Sequence, residues 1–271
     1  MTETSVARLR GKYGRRPFDP ERPRLTLERY LDPRTVLTRA GLPPIPAGQD
    51  VDRASEVTEW PMYLNDQLGD CTIAGEGHLF GALSRYASGA EALFDDATIQ
   101  SVYSRVGGYV PGDESTDSGC VMSDVLTDAR TTGITDTSGK THKVLGFAAL
   151  GNCADQELLS QVLDVFGSVY VGFNVQQSNE TQFDSHAAWT YTPGDQVVGG
   201  HCVVLQRRLG GSAAAPYEYI TWGAVQPADQ SWQANLVEEA WAVVSEDWVT
   251  ANGTSVEGLD VRQLLADMAY V

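Results

Sequence analysis

Apolar side chains recur at three- and four-residue spacing in five stretches of the chain, each predicting a helix with one buried face. Over 71–86 the repeat is Ile73, Gly77, Phe80 and Leu83; over 91–107 it is Leu93, Ile99, Val102 and Tyr103. Over 118–133 it is Val121, Val125, Leu126 and Ala129, with Gly133 as the stop; over 155–166 it is Leu158, Leu159, Val162 and Val165. The last, over 256–268, is carried by Leu259, Leu264, Leu265 and Met268, and a short helical turn is expected at 32–40. Between and after these the pattern changes to β-branched and aromatic runs bounded by Gly, Pro and Asn, predicting strands at 141–149, 168–175, 200–208, 217–223 and 239–245. Helices precede most of the strands, which is the order of an α+β fold. No internal repeat is present.

Charge divides the chain. Residues 1–40 hold ten basic side chains and five acidic ones, whereas the remaining residues hold nine basic and thirty-one acidic. With Pro43, Pro44 and Pro46 forcing an extended path, residues 1–50 read as a basic, Pro-rich arm that wraps or reaches without forming a core, and 51–271 as the folded body. The acidic body should repel nucleic acid, while the arm is suited to an acidic surface, either its own or that of a neighbouring protein subunit. There is no apolar run of membrane-spanning length and no apolar stretch of a secretion signal near the start, so the expectation is no membrane, and a cytoplasmic or particle-assembled location. The four cysteines form no CxxC pair, which argues for reduced thiols over a zinc site; a Cys120–Cys153 bridge stays open, and no cofactor or metal is expected.

Candidate chemistry starts at Cys71. The turn Leu68-Gly69-Asp70 feeds it into a helix start, where unpaired N–H groups favour a thiolate. Of the four histidines, His78 lies about 10 Å further along the same helix and cannot reach the thiol. His142 reads as a surface residue, and His186, near Asp184, as a weaker candidate base. His201 is favoured, because Gly199-Gly200 precede it and open the strand to close approach. Alternation puts His201, Val203 and Leu205 on one face and Cys202 on the other, away from the site.

The combination of Asn65-Asp66 and Gly69-Asp70-Cys71-Thr72, Gly199-Gly200-His201, Thr221-Trp222-Gly223 and a closing Glu238-to-Trp248 strand resembles the papain-like cysteine peptidase superfamily, and within it a divergent phage or bacterial branch, over about 51–249. The resemblance implies a papain-like α+β domain with a helical half carrying Cys71 and a β-sheet or barrel half carrying His201. It implies a thiol hydrolase of amide, peptide or isopeptide bonds acting on a peptide or protein, with Cys71 as nucleophile and His201 as base. Asn65 matches the oxyanion amide, with Gln67 as a competitor. Counting back from Trp222, the orienting position falls on Ile220, which has no polar atom, so Thr221, Gln226 or Asp229 would have to fix the imidazole. The empty orienting position and the arm also fit a second reading, an inactive papain-fold component of a phage particle docked through residues 1–50.

Overall fold

The computed structural model describes residues 11–22, 24–28, 42, 44–212, 214–249 and 266. The helix expected at 32–40 lies outside them, and of the one at 256–268 only Ala266, which is helical, is described.

In chain order the elements are β1 (Arg15–Arg16), β2 (Val51–Asp52), α1 (Cys71–Ser88), α2 (Asp96–Gly107), β3 (Cys120–Val121), α3 (Met122–Thr131), β4 (Ile134–Thr135), β5 (Thr141–His142), β6 (Val144–Ala149), α4 (Gln156–Phe166), β7 (Val169–Gln176), α5 (Gln177–Asp184), β8 (Val197–Arg208), β9 (Tyr217–Thr221), β10 (Ala224–Ala228), α6 (Gln230–Leu236) and β11 (Val237–Ser245). The main sheet is antiparallel, in the order β10-β9-β8-β7-β11-β6, with β2 adding to β8.

Capping explains where the helices start. The Asp95 side chain accepts from Thr98 N–H, so α2 begins at Asp96 and not at 91; Asp155 does the same for α4 through Glu157 and Leu158. The helix expected from 118 begins at Met122, because Cys120 and Val121 are drawn into parallel pairing with Arg15 and Arg16. Seven elements were not expected from the pattern: the two-residue strands β1, β2, β3 and β4, the helices α5 and α6, and β10. The last contains Pro227, which is tolerated because β10 is an edge strand.

The pleat of the sheet divides the interior into two cores. On one face Val171, Phe173, Val203 and Leu205 pack with α4 and with Trp189 and Trp232; on the other Tyr170, Cys202 and Val204 pack with α1, α2 and α3. Helix α1 is buried from Cys71 to Ser84 without a break, which is why its sequence is weakly amphipathic and rich in Ala and Gly. A side chain at Gly77 would press within 2.8 Å of the Tyr63 ring.

The described residues 11–22 and 24–28 of the arm lie against the body, and the expectation that the arm forms no part of a core fails at Leu27. That residue is buried in the first core, held by Leu27 N–H to Ala149 O (2.8 Å) and Ala149 N–H to Leu25 O (2.8 Å). The four cysteines are free thiols, so there is no Cys120–Cys153 bridge. No helix among the described residues is long and apolar enough to cross a membrane.

Candidate active site

The loop before α1 is built on two consecutive residues in the left-handed region, Tyr63 and Leu64, and is tied to the helix by His78, whose Nε2 lies 2.8 Å from Pro61 O. That loop delivers Asn65, buried, to the side of Cys71. Its Nδ2 faces three acceptors: Lys12 O at 3.2 Å, Leu68 O at 3.1 Å and Asp70 Oδ1 at 3.2 Å. Gln67, the competitor for the oxyanion amide, is exposed at the same loop.

Cys71 opens α1, as its sequence context predicts, yet its thiol is not activated in this state. It is 1% exposed, and burial together with the neighbouring Asp70 carboxylate pushes its pKa up to about 12, outweighing backbone N–H bonds from Cys202 and Gly14. Asp70 is itself fully buried, and desolvation holds its own pKa well above the ordinary value.

His201 stands on β8, opposite Phe173 of β7. Its Nε2 lies 2.7 Å from Thr221 Oγ1, and its ring stacks on Trp222 with centroids 4.6 Å apart. Nδ1 is buried without a hydrogen-bond partner. Burial, and then the nearby Arg15 charge, lower the pKa of the ring to about 3. Thiol and imidazole are both neutral at pH 7 here, and no hydrogen bond joins them.

Sheet register explains why Thr221, and not Ile220, meets the imidazole. Ile220 pairs with Val204 on the face away from His201, whereas Tyr219 packs with Val203 and Leu205, so Thr221, two residues on, shares their face. Gln226 donates to Ala187 O (2.8 Å) and Pro227 O (3.0 Å), and Asp229 caps α6 through Trp232 N–H, so neither takes the orienting place. His186 is exposed on a loop. His142 is corrected from surface to interior: it is 1% exposed, with Nδ1 2.6 Å from Asp247 Oδ2 and Nε2 3.1 Å from Asp136 Oδ2. Cys202 points its side chain to the face opposite His201, against α1 at Gly75, and this is the face where Cys71 also packs, so the thiol turned away from the imidazole is close to the cysteine.

The cleft between the two halves is filled by the chain's own arm. Lys12 N–H donates to Asn65 O (2.6 Å), and its Nζ reaches Asp117 Oδ2 at 3.1 Å. Tyr13 lies edge-on to His201 and tilted against Trp222, with its hydroxyl on Glu180. Gly14 passes between Gly69 and Gly119: a Cβ on Gly14 would fall 1.6 Å from Gly69 O, and one on Gly119 would fall 1.9 Å from Gly14 O. Gly14 O accepts from Cys120 N–H at 2.9 Å, and Arg15 Nη1 reaches Glu239 Oε1 at 2.9 Å. The glycine spacing Gly11-x-x-Gly14 beside Arg15-Arg16 was the available sequence signal for this threading.

This architecture, a buried helix bearing the cysteine against a sheet bearing the histidine with the cleft between them, is the papain-like fold. Solved structures with the same arrangement include xylellain, a cysteine protease from Xylella fastidiosa, at TM-score 0.63 and 14% identity over 90% of this chain and 99% of that one. Procathepsin B S9 from Trypanosoma congolense is similar at TM-score 0.53 and 14% identity, covering 91% of this chain and 89% of its own. The bromelain protease of Ananas comosus is similar at TM-score 0.53 and 11% identity, covering 74% and 99%. No protein-family model and no curated protein matches the sequence.

Proposed function

We propose that the chain is a thiol hydrolase of peptide or isopeptide bonds, held latent by its own arm. The observation that carries the reading is the way the cleft holds a peptide main chain: Asn65 exchanges hydrogen bonds with both backbone groups of Lys12, and Cys120 N–H takes Gly14 O. The arm presents an N–H of Gly14 to the sulfur, not a carbonyl carbon, so it occupies the site without offering a bond to attack.

With the arm withdrawn, water reaches both groups, which removes the desolvation that keeps the thiol and imidazole neutral. His201 Nδ1, now unpartnered, takes the proton of Cys71, while Nε2–H donating to Thr221 Oγ1 fixes the tautomer. The thiolate attacks the substrate carbonyl, and the oxyanion is met by Asn65 Nδ2, the group that now holds the Lys12 carbonyl. His201 returns the proton to the leaving amine, and water then releases the acyl group from sulfur.

One observation favours the second reading, a silent papain-fold component of a phage particle: the neutral, buried Cys71 and His201 behind a well-packed arm. The two readings differ in whether the arm can leave. The test is hydrolysis of a fluorogenic peptide pool by the full chain carrying Gly14→Ala, with Cys71→Ser as control. Turnover lost in Cys71→Ser supports the hydrolase. No turnover by a chain whose Cys71 labels freely supports the silent component.

A further inference from the structure

Arg15 leaves the cleft floor in an unusual way for a residue of a basic arm: its side chain is 1% exposed. It passes through a channel floored by glycines on adjacent strands. A Cβ at Gly172 would fall 2.5 Å from Arg15 Cδ, and one at Gly200 would fall 2.5 Å from Arg15 O. At the end of the channel Nη1 meets Glu239 Oε1 at 2.9 Å, and Nη2 meets Glu238 Oε2 at 2.6 Å and Asn174 Oδ1 at 3.1 Å. Glu239 is buried and held in place by Trp241 Nε1 on its second oxygen at 3.1 Å. Arg15 follows Gly14, which packs directly on the backbone of Gly69 two residues before Cys71, so the channel opens beside the nucleophile.

Withdrawal of the arm, which the hydrolase reading requires and on which this inference rests, admits water to the channel and leaves three acceptors at its end, on Glu239, Glu238 and Asn174, without their donor. A planar fork of donors matches such a set better than a single ammonium. From this we infer that the channel ending at Glu239, Glu238 and Asn174 is a substrate subsite selective for an arginine side chain, which the arm's Arg15 fills in the latent state. The arm runs parallel to β3. A peptide bound in the opposite sense turns a carbonyl toward the sulfur, so the selected arginine precedes the scissile residue. The space beside Gly69 and Gly119 limits that scissile residue to glycine or a similarly small one.

The probe is the pair acetyl-Arg-Gly and acetyl-citrulline-Gly, as aminocoumarin amides for hydrolysis and as fluorescein conjugates for binding. Citrulline keeps the shape and removes the charge. The protein is the full chain carrying Gly14→Ala and Arg15→Ala, which lacks both the wedge and the occupant; binding is read by anisotropy in the same chain with Cys71→Ser. The expected result is at least about tenfold tighter binding of the arginine peptide and the same preference in kcat/KM, both lost in Glu239→Gln. Glu238→Gln, at a half-exposed position, is the second variant should Glu239→Gln fail to fold, and it should reduce the preference. Equal binding of the two peptides, or binding of neither, overturns the subsite. Arginine-selective binding without hydrolysis upholds the subsite and removes the hydrolase reading; hydrolysis with no preference does the reverse.

Discussion

Replacing Gly14 by alanine should uncover Cys71. The added Cβ would stand 1.6 Å from Gly69 O and 2.2 Å from Gly69 C, both backbone atoms of the tight turn that leads into α1. No flexible side chain can move aside, so the strain falls on the docked arm. Overpacking of this kind costs about 1–3 kcal/mol. In the docked state, with a pKa near 12, the thiolate fraction at pH 7 is about 10⁻⁵, against about 3% for an ordinary thiol of pKa ~8.5. Alkylation therefore reports the population with the arm displaced. A shift of 1–3 kcal/mol in that population raises the labelling rate about 5- to 150-fold. The assay is pseudo-first-order iodoacetamide labelling of the full chain at pH 7, with mass spectrometry assigning the modified cysteine. An unchanged Cys71 rate in a folded Gly14→Ala chain would refute the idea that the arm masks the thiol.

Further outcomes follow from other buried groups. Glu76, in the middle of α1, has both carboxylate oxygens buried without partners, and desolvation, with a smaller push from Asp128, raises its pKa to about 8. A carboxylic acid raised from 4.5 binds its proton more tightly in the folded state, so stability falls as pH rises from about 4.5 to 8. The loss reaches roughly 5 kcal/mol by pH 8, from 1.36 kcal/mol for each pKa unit. Glu76→Gln should therefore raise the urea midpoint at pH 8 and leave it nearly unchanged at pH 4.5; the same gain at both pH values would contradict this. Burial works against the charge of His142, but hydrogen bonds to Asp247 and Asp136 more than reverse it and raise its pKa. Its stabilisation is complete below pH 6.5 and is lost as pH climbs through the raised value, so thermal melts of His142→Gln should lack that alkaline decline. In the Gly14→Ala background, Thr221→Val removes the acceptor at His201 Nε2 and should lower peptide turnover by about tenfold or more, with a shifted pH profile. An unaltered profile would remove Thr221 from the site.

Local signals carried much of the architecture. The Cys71 helix start, the Gly-Gly-His strand and the alternation that turns Cys202 away are properties of short stretches, and each is present in the fold. What the pattern did not reveal depends on partners far along the chain. Thr221 rather than Ile220 faces His201 because of the pairing of β8 with β9, a register that counting back from Trp222 cannot supply. His142 reads as polar and exposed because the carboxylate that compensates its burial, Asp247, comes 105 residues later. The threading of Gly14 and Arg15 is similarly non-local, since Gly69, Gly119, Gly172, Gly200 and Glu239 come from five separate parts of the chain. The prolines and arginines of the arm announced an extended, basic segment suited to an acidic surface of its own body or of a partner, and did not mark the cleft as that surface.

The central claim is that Cys71 and His201 form a working pair once the arm is displaced. The most direct measurement is the pH dependence of Cys71 alkylation in the full chain carrying Gly14→Ala, with and without His201→Ala. The account predicts labelling that persists well below pH 7 and retreats to the alkaline range in His201→Ala. Labelling confined to pH values above about 8, and identical in the two chains, would contradict it.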